Sequence, residues 1–185
     1  GIVNNPERLE LPVLIDETQG YFLKSIKYPH IQQQRVLTPA RLWVISSEVL
    51  TTKKRIAYIE GAGDYTDDAL RKMGYDVRAI QVDKLDAISK KDFDVLLLGI
   101  RAFNTRDALK NCKPHFERFV SQGGKIIVQY NTTADLVTRD FAPAALTIGR
   151  GRVADERAAV RFIAPDHPAL QSPNVIGAHD FDNWV

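Results

Sequence analysis

Three short apolar runs, RIAYIE (55–60), FDVLLLGI (93–100) and KIIVQY (125–130), each break off into a polar or glycine-bearing turn, with room for helices between them. The middle run is apolar almost throughout, which marks a strand buried on both faces. Helical signals fill the gaps. DYTDDALRKMGY (64–75) opens on Asp and Thr, sets Leu70 and Met73 three apart, holds Arg71 and Lys72 late and stops at Gly74. It predicts a helix of about two to three turns. DVRAIQV (76–82) reads as another strand, and the stretch to Lys91 as a short helix or loop. TRDALKNCKPHFERFVSQGG (105–124) places Leu109, Phe116, Phe119 and Val120 near helical spacing, with Pro114 either starting a second helical piece or kinking the first. A further helix is predicted over ADLVTRD (134–140).

Strands that alternate with helices imply right-handed crossovers, and hence an open parallel sheet with helices on both faces. Residues 53 to about 165 are therefore expected to form an α/β domain of flavodoxin-like or glutamine-amidotransferase-like kind. Beyond the last helix, AALTIGR (144–150), AVRFI (159–163) and the proline-bearing APDHPALQSPN (164–174) read as strands and loops attached to one edge. Ahead of the domain, LPVLI and RLWVIS are broken up by Pro6, Pro12, Pro29 and Pro39 with no helical period, which predicts an extended or β-rich lead-in over residues 1–50 and the α/β domain over 51–185.

With 25 basic and 23 acidic residues and 44% hydrophobic content, the chain supports one core with a small added module. So even a charge balance argues against a nucleic-acid partner or an anionic membrane surface. Cys112 is the only cysteine and cannot close an intramolecular disulfide. His30, His115, His167 and His179 are scattered, so neither a metal site nor a cofactor is expected. No apolar run approaches the roughly 20 residues of a membrane span, and GIVNNPERLE lacks a secretory-signal profile. The leading Gly1 and the abrupt FDNWV ending suggest a domain cut from a longer chain.

In an open parallel sheet the ligand crevice lies outside the carboxyl ends of the strands. After the first strand stand Glu60, Gly61, Gly63 and Asp64, where glycines admit close backbone approach and helix N–H groups can hold an anion. The GAGD run has neither the third glycine of a dinucleotide loop nor a P-loop lysine, and Asp64 can equally cap the helix. After the third strand, GIRAFNTR (99–106) supplies Arg101, Asn104 and Arg106. Arginine there can clamp a carboxylate or phosphate, or Arg101 can pair with Glu60 while Asn104 or Thr105 caps the next helix. After the fourth strand, Tyr130 and Asn131 occupy the turn where an elbow nucleophile stands in hydrolases of related architecture. Neither is activatable, and Cys112 belongs to the preceding helical stretch. GRGRVADER (149–157) adds Arg150, Arg152, Asp155 and Glu156 near the sheet edge; the run can rim the crevice, with Arg152 its candidate binding residue, or is read more simply as a solvated turn.

The segments YPHIQQQRVLTPARL (28–42), IAYIEGAGD (56–64), LGIRAFNTR (98–106), GGKIIVQYNTT (123–133), LTIGRGRVADE (146–156) and PDHPALQSPNVIGAHDFDNWV (165–185) together resemble the C-terminal region of large PIG-L or LmbE-like deacetylases. That region is similar to the class I glutamine-amidotransferase-like fold. In such proteins deacetylation belongs to an N-terminal zinc domain with a His-Pro-Asp-Asp type motif, which is absent here. In amidotransferase-like relatives the nucleophilic cysteine follows the strand matching KIIVQY, so the resemblance puts Tyr130 near its place. It implies an accessory domain, partnered by a deacetylase domain of the same polypeptide or by its own copies, with further chain beyond Val185 and a periplasmic or secreted location.

Three functions follow as expectations. The first is a non-catalytic module that docks on a deacetylase or holds a glycan-like ligand through Arg101, Asn104, Tyr130 and Asn131. The second is a hydrolase in which Glu60 or Asp64 acts as general base beside Arg101. The third is a purely structural or oligomerisation domain.

Overall fold

The computed structural model describes residues 7–46, 49–142, 145–155 and 158–181. It divides into two units, Gly1–Val49 and Leu50–Val185.

In the first unit the short apolar stretches become paired ribbons. Strand β1 (Glu7–Pro12) runs antiparallel to β6 (Arg41–Ser46), β2 (Leu14–Ile15) to β3 (Thr18–Gln19), and β4 (Tyr21–Ile26) to β5 (Gln34–Pro39). The ribbons meet at Val13, Gly20 and Ala40. There Val13 N–H donates to Ala40 O, Ala40 N–H to Gly20 O, and Gly20 N–H to Val13 O, closing a ring of backbone bonds. The Gln19 amide donates to the same three carbonyls, at 2.7 Å to Gly20, 3.1 Å to Ala40 and 3.4 Å to Val13. Gly20 and Ala40 are buried, but Leu14, Ile15, Phe22, Leu23, Leu37, Leu42 and Trp43 remain exposed.

The second unit is built on four parallel strands, β7 (Arg55–Ile59), β8 (Asp76–Ala79), β9 (Val95–Leu98) and β10 (Lys125–Val128), in the order β10-β9-β7-β8. β7, β9 and β10 are short and apolar at their centres, β8 buries only Val77, and period-two alternation feeds both faces. Ala57, Ile59, Leu96 and Leu98 join one core, while Ile56, Tyr58 and Leu97 join the other. Helix α1 (Thr66–Lys72) packs Leu70 on the second. Past α2 (Ala102–Thr105), helix α3 (Lys113–Ser121) packs Phe116 and Phe119 on the first. Pro114 lies in its opening turn, where no intrahelical N–H is needed. Phe103 stacks on Phe141 with ring centroids 4.4 Å apart and meets Phe116 edge-on at 6.3 Å. Burying such rings contributes about 1.5–3 kcal/mol apiece. Helices thus cover both faces of a four-stranded parallel sheet in a mixed α/β unit.

At the amino end of the sheet Asp94 fixes β7 and β9. Its carboxylate accepts from the Arg55 amide at 3.0 Å, from Arg55 Nε at 3.2 Å and from Lys90 Nζ at 2.5 Å.

Three expectations are corrected. No helix forms over 134–140, because the groups it needs are bonded elsewhere. Asn104 Nδ2 donates to the Thr132 and Ala134 carbonyls, the Val137 amide donates to Phe103 O, Thr138 Oγ1 accepts the Asp140 amide, and Asp135 has φ +55°. Such local bonds compete directly with the helical ladder. Within 145–150 and 159–163 no strand forms either: Ile148 is half-buried, but Ile163 is 91% exposed, so these stretches bury too little to recruit a partner strand. In 164–174 a short helix, α4 (Pro168–Gln171), appears where the sequence suggested strand or loop.

Candidate functional site

The turns that follow β7 and β9 lie against one another. The Ala62 amide donates to Ile100 O at 2.7 Å, and a Cβ on Gly61 would sit 2.0 Å from that oxygen. Only glycine fits such an approach. One on Gly99 would meet Tyr58 Oη, Asp64 Oδ2 and Gly61 N, each within 2.8 Å. Asp64 closes the junction: Oδ1 accepts from Tyr58 Oη at 2.8 Å and from the Thr66 amide at 2.9 Å, and Oδ2 from the Ile100 amide at 2.9 Å. Partial burial acts to raise the Asp64 carboxyl, but bonds from Thr66, Ile100 and Tyr58 outweigh it and hold the group below its ordinary value. Burial, reinforced by Asp64, pushes the Tyr58 hydroxyl far above the usual tyrosine range. Gly63, at φ +90°, turns the chain with open space around it.

The glycines and aspartate of GAGD therefore knit two loops together over the point where strand order reverses. Arg106 adds to the seam: its Nε donates to Glu60 O at 2.9 Å, and its Nη2 to Glu60 Oε2 at 2.8 Å and to Gly61 O at 3.2 Å. The pairing considered for Arg101 and Glu60 does not form, because Arg106 occupies Glu60.

The open crevice lies one strand over, between the loops after β9 and β10. It encloses about 550 Å3 and is lined by Arg101, Tyr130, Asn131, 132–135 and the irregular GRGR stretch 149–152. That volume is within the roughly 300–1,000 Å3 of small-molecule sites. The two loops are joined by Arg101 N–H to Tyr130 O at 2.7 Å. Asn131 is buried and accepts from the Phe103 amide at 3.0 Å while donating to Gln129 O at 2.8 Å, so it sets the shape of the wall. Asn104, in α2, accepts from the Thr132 amide at 3.0 Å and holds the loop beneath the crevice; it caps nothing. Thr105 instead returns its hydroxyl to Arg101 O.

The structure thus gathers Arg101, Tyr130, Asn131 and Arg152, and leaves Glu60, Gly61, Gly63, Asp64 and Arg106 in the adjoining seam. Arg150 and Asp135 complete the crevice. Arg150 belongs to the run that was expected either to rim the crevice or, more simply, to form a solvated turn, and Asp135 was hidden inside the expected helix. Two non-glycine residues of the lining, Arg101 at φ +58° and Asp135 at φ +55°, hold the left-handed region, which costs on the order of 1 kcal/mol each. Beside this crevice lies an apolar cavity of about 420 Å3 lined by Phe116, Ile126, Val128, Phe141 and Ile148, which shares Asn131 and has no charged group among its described lining residues.

Cys112 is buried, and its thiol is pushed up to about 11 by that burial. It lines neither cavity. Among the described residues no three His, Cys, Asp or Glu side chains come together as metal ligands, and no helix is long and apolar enough to cross a membrane. No family model, curated protein or solved structure matches the chain.

Proposed function

We propose that residues 50–185 are a non-catalytic ligand-binding module of flavodoxin-like or glutamine-amidotransferase-like type, accessory to a PIG-L/LmbE-like deacetylase, and that the crevice holds a glycan-like ligand. The fold assignment is supported by strand order. Counting β7, β8, β9 and β10 as first to fourth, they lie as second, first, third, fourth, the opening of the flavodoxin-like order. The resemblance noted in the sequence supports the deacetylase connection.

One observation carries the binding role: Tyr130, 58% exposed, and the guanidinium-bearing Arg101 line a preformed polar crevice beyond the carboxyl ends of β9 and β10. An aromatic face beside hydrogen-bond donors suits a sugar ring and its hydroxyls. The hydrolase alternative requires a free carboxylate of raised pKa, whereas Asp64 is held ionised by its partners and Glu60 is paired with Arg106.

A thermal-shift screen of the chain against neutral sugars, amino sugars, sugar acids and sugar phosphates tests the reading, repeated with Arg101→Ala. Bound ligand raises the melting temperature with saturation. A shift that vanishes in a folded Arg101→Ala protein is the expected result; no shift with any compound defeats the binding role.

The first unit favours a second, compatible role. Its exposed Phe22, Leu23, Leu37 and Trp43 supply apolar surface suited to docking on a partner domain or on a second copy. Light scattering across a concentration series, with Phe22→Ser and Leu37→Ser, measures it: a mass that stays monomeric at every concentration rules out self-association.

A further inference from the structure

Resting on the ligand-binding reading above, we infer that the crevice selects an acidic sugar, one bearing a carboxylate or a phosphate, and that Arg101, Arg150 and Arg152 recognise the anionic group.

The argument is one of charge without partners. Eight ion pairs are formed among the described residues, and none involves these three arginines. No hydrogen bond from any of their guanidinium groups is made within the described residues either. Several arginines elsewhere in the unit are put to use internally, Arg55 on Asp94, Arg71 on Asp67, Arg106 on Glu60 and Arg118 on the Asp86 carbonyl, and what sets Arg101, Arg150 and Arg152 apart is that they line one crevice together. The three lie around one cavity, where Asp135 is the only acidic group among the described lining residues. Three cations facing one anion leave a local excess of positive charge, which favours an anionic ligand most where solvent is partly excluded.

The chemistry of the group narrows the class. A planar guanidinium gives two parallel N–H donors matched to a carboxylate or a phosphate. The stretch that carries Arg150 and Arg152 alternates them with Gly149 and Gly151, and the space around it is open: a Cβ at Gly151 would meet nothing within 4 Å. Arg101 approaches from the β9 side, on a backbone held at φ +58° by its bond to Tyr130 O. That strain fixes where its side chain leaves the chain and orients it in advance of binding. Tyr130 then supplies the face for the ring that bears the acid, so a free inorganic anion would use only half of the site.

Isothermal titration of the 185-residue chain with glucuronate, glucose 6-phosphate, glucose and inorganic phosphate tests this, alongside Arg150→Ala/Arg152→Ala and Arg150→Lys/Arg152→Lys proteins. Both arginines are exposed, so these variants are expected to fold. At least one acidic sugar should bind about tenfold or more tightly than glucose, weaken as salt is raised, and lose that preference in the alanine protein with partial recovery in the lysine protein. Which acidic sugar binds distinguishes carboxylate from phosphate recognition. Glucose binding as tightly as either acid overturns the inference while leaving the ligand-binding reading intact. Inorganic phosphate binding as tightly as the sugar phosphate reduces the site to a simple anion site and also overturns it. Absence of binding by all four probes and by the wider sugar screen removes both readings together.

Discussion

Tyr58 Oη donates a 2.8 Å hydrogen bond to Asp64 Oδ1, tying the core of β7 to the turn that leaves it. Because Asp64 also accepts from the Thr66 and Ile100 amides, one carboxylate joins β7, the start of α1 and the loop after β9. The crevice lined by Arg101 and Tyr130 is therefore built beside a rigid seam rather than in the seam itself.

Removing the phenol should separate the pair's two contributions. Near neutral pH, Tyr58→Phe should cost about 1–2 kcal/mol, the loss of one hydrogen bond to a charged acceptor. At high pH that advantage shrinks. In the unfolded chain a tyrosine ionises near 10, whereas Tyr58 in the fold resists ionisation because burial and Asp64 disfavour the phenolate. Its contribution is complete below about pH 10 and declines as pH rises above that value. Urea unfolding at pH 7 and across pH 9–11 should show the gap between parent and variant narrowing; a constant gap would contradict the assignment.

Acid should act through Asp94 and Asp64. The Asp94 carboxyl is held well below the usual range by the Arg55 amide, then by Lys90 and the Arg55 side chain; Asp64 is lowered more modestly. Both are depressed, so the stability they add is present above the unfolded value of about 3.9 and is lost as pH falls below it. Asp94→Asn should flatten the acid limb of the denaturation profile between about pH 4 and pH 2. An unchanged slope would mean that the Arg55 and Lys90 contacts do not survive in solution.

Gly61 and Gly151 offer a contrast between packing and openness. A methyl at Gly61 would meet the Ile100 carbonyl at 2.0 Å, and the obstacle is backbone, so Gly61→Ala should cost upwards of about 2 kcal/mol. Gly151→Ala meets nothing within 4 Å and should fall within about 0.5 kcal/mol of the parent. Equal effects in denaturant melts would show that the loops after β7 and β9 do not pack as described.

In the first unit one side-chain amide braces the junction of the paired ribbons. Gln19→Ala deletes the donor that faces the Val13, Gly20 and Ala40 carbonyls, and should cost about 1–2 kcal/mol. Amide exchange is the direct readout: the Val13, Gly20 and Ala40 N–H groups, which close the backbone ring, should all exchange faster. Unaltered protection at these amides would place the stability of the junction elsewhere.

These contrasts explain what the sequence could reveal. The strands were legible because Ile56 to Ile59 and Val95 to Leu98 must be apolar on both faces, and α3 because Phe116 and Phe119 share one side with Pro114 at its start. The helix expected over 134–140 failed because its pattern, though apolar at Leu136 and Val137, says nothing of Asn104, thirty residues earlier, taking the Ala134 carbonyl. The same limit governed the site. Which arginine would seize Glu60 depended on a contact spanning 46 positions, and that contact left Arg101 free. Local pattern gives elements; side-chain bonds between distant loops decide which polar residues remain available for a ligand.

Cys112 gives a final check on the core that supports the crevice. It is 1% exposed, packed with Phe103 and Phe116, and burial pushes its thiol up to about 11. Since the thiolate is the reactive form, both access and ionisation should protect it from alkylation. At pH 8, iodoacetamide should modify the folded chain about a hundredfold or more slowly than an unhindered thiol, with protection lost in denaturant. The comparison also reports on opening of the aromatic cluster: an agent that reaches Cys112 at the rate of a free thiol under native conditions would mean that Phe103, Phe116 and Phe141 do not close over it, and that the wall behind Asn131 is not rigid.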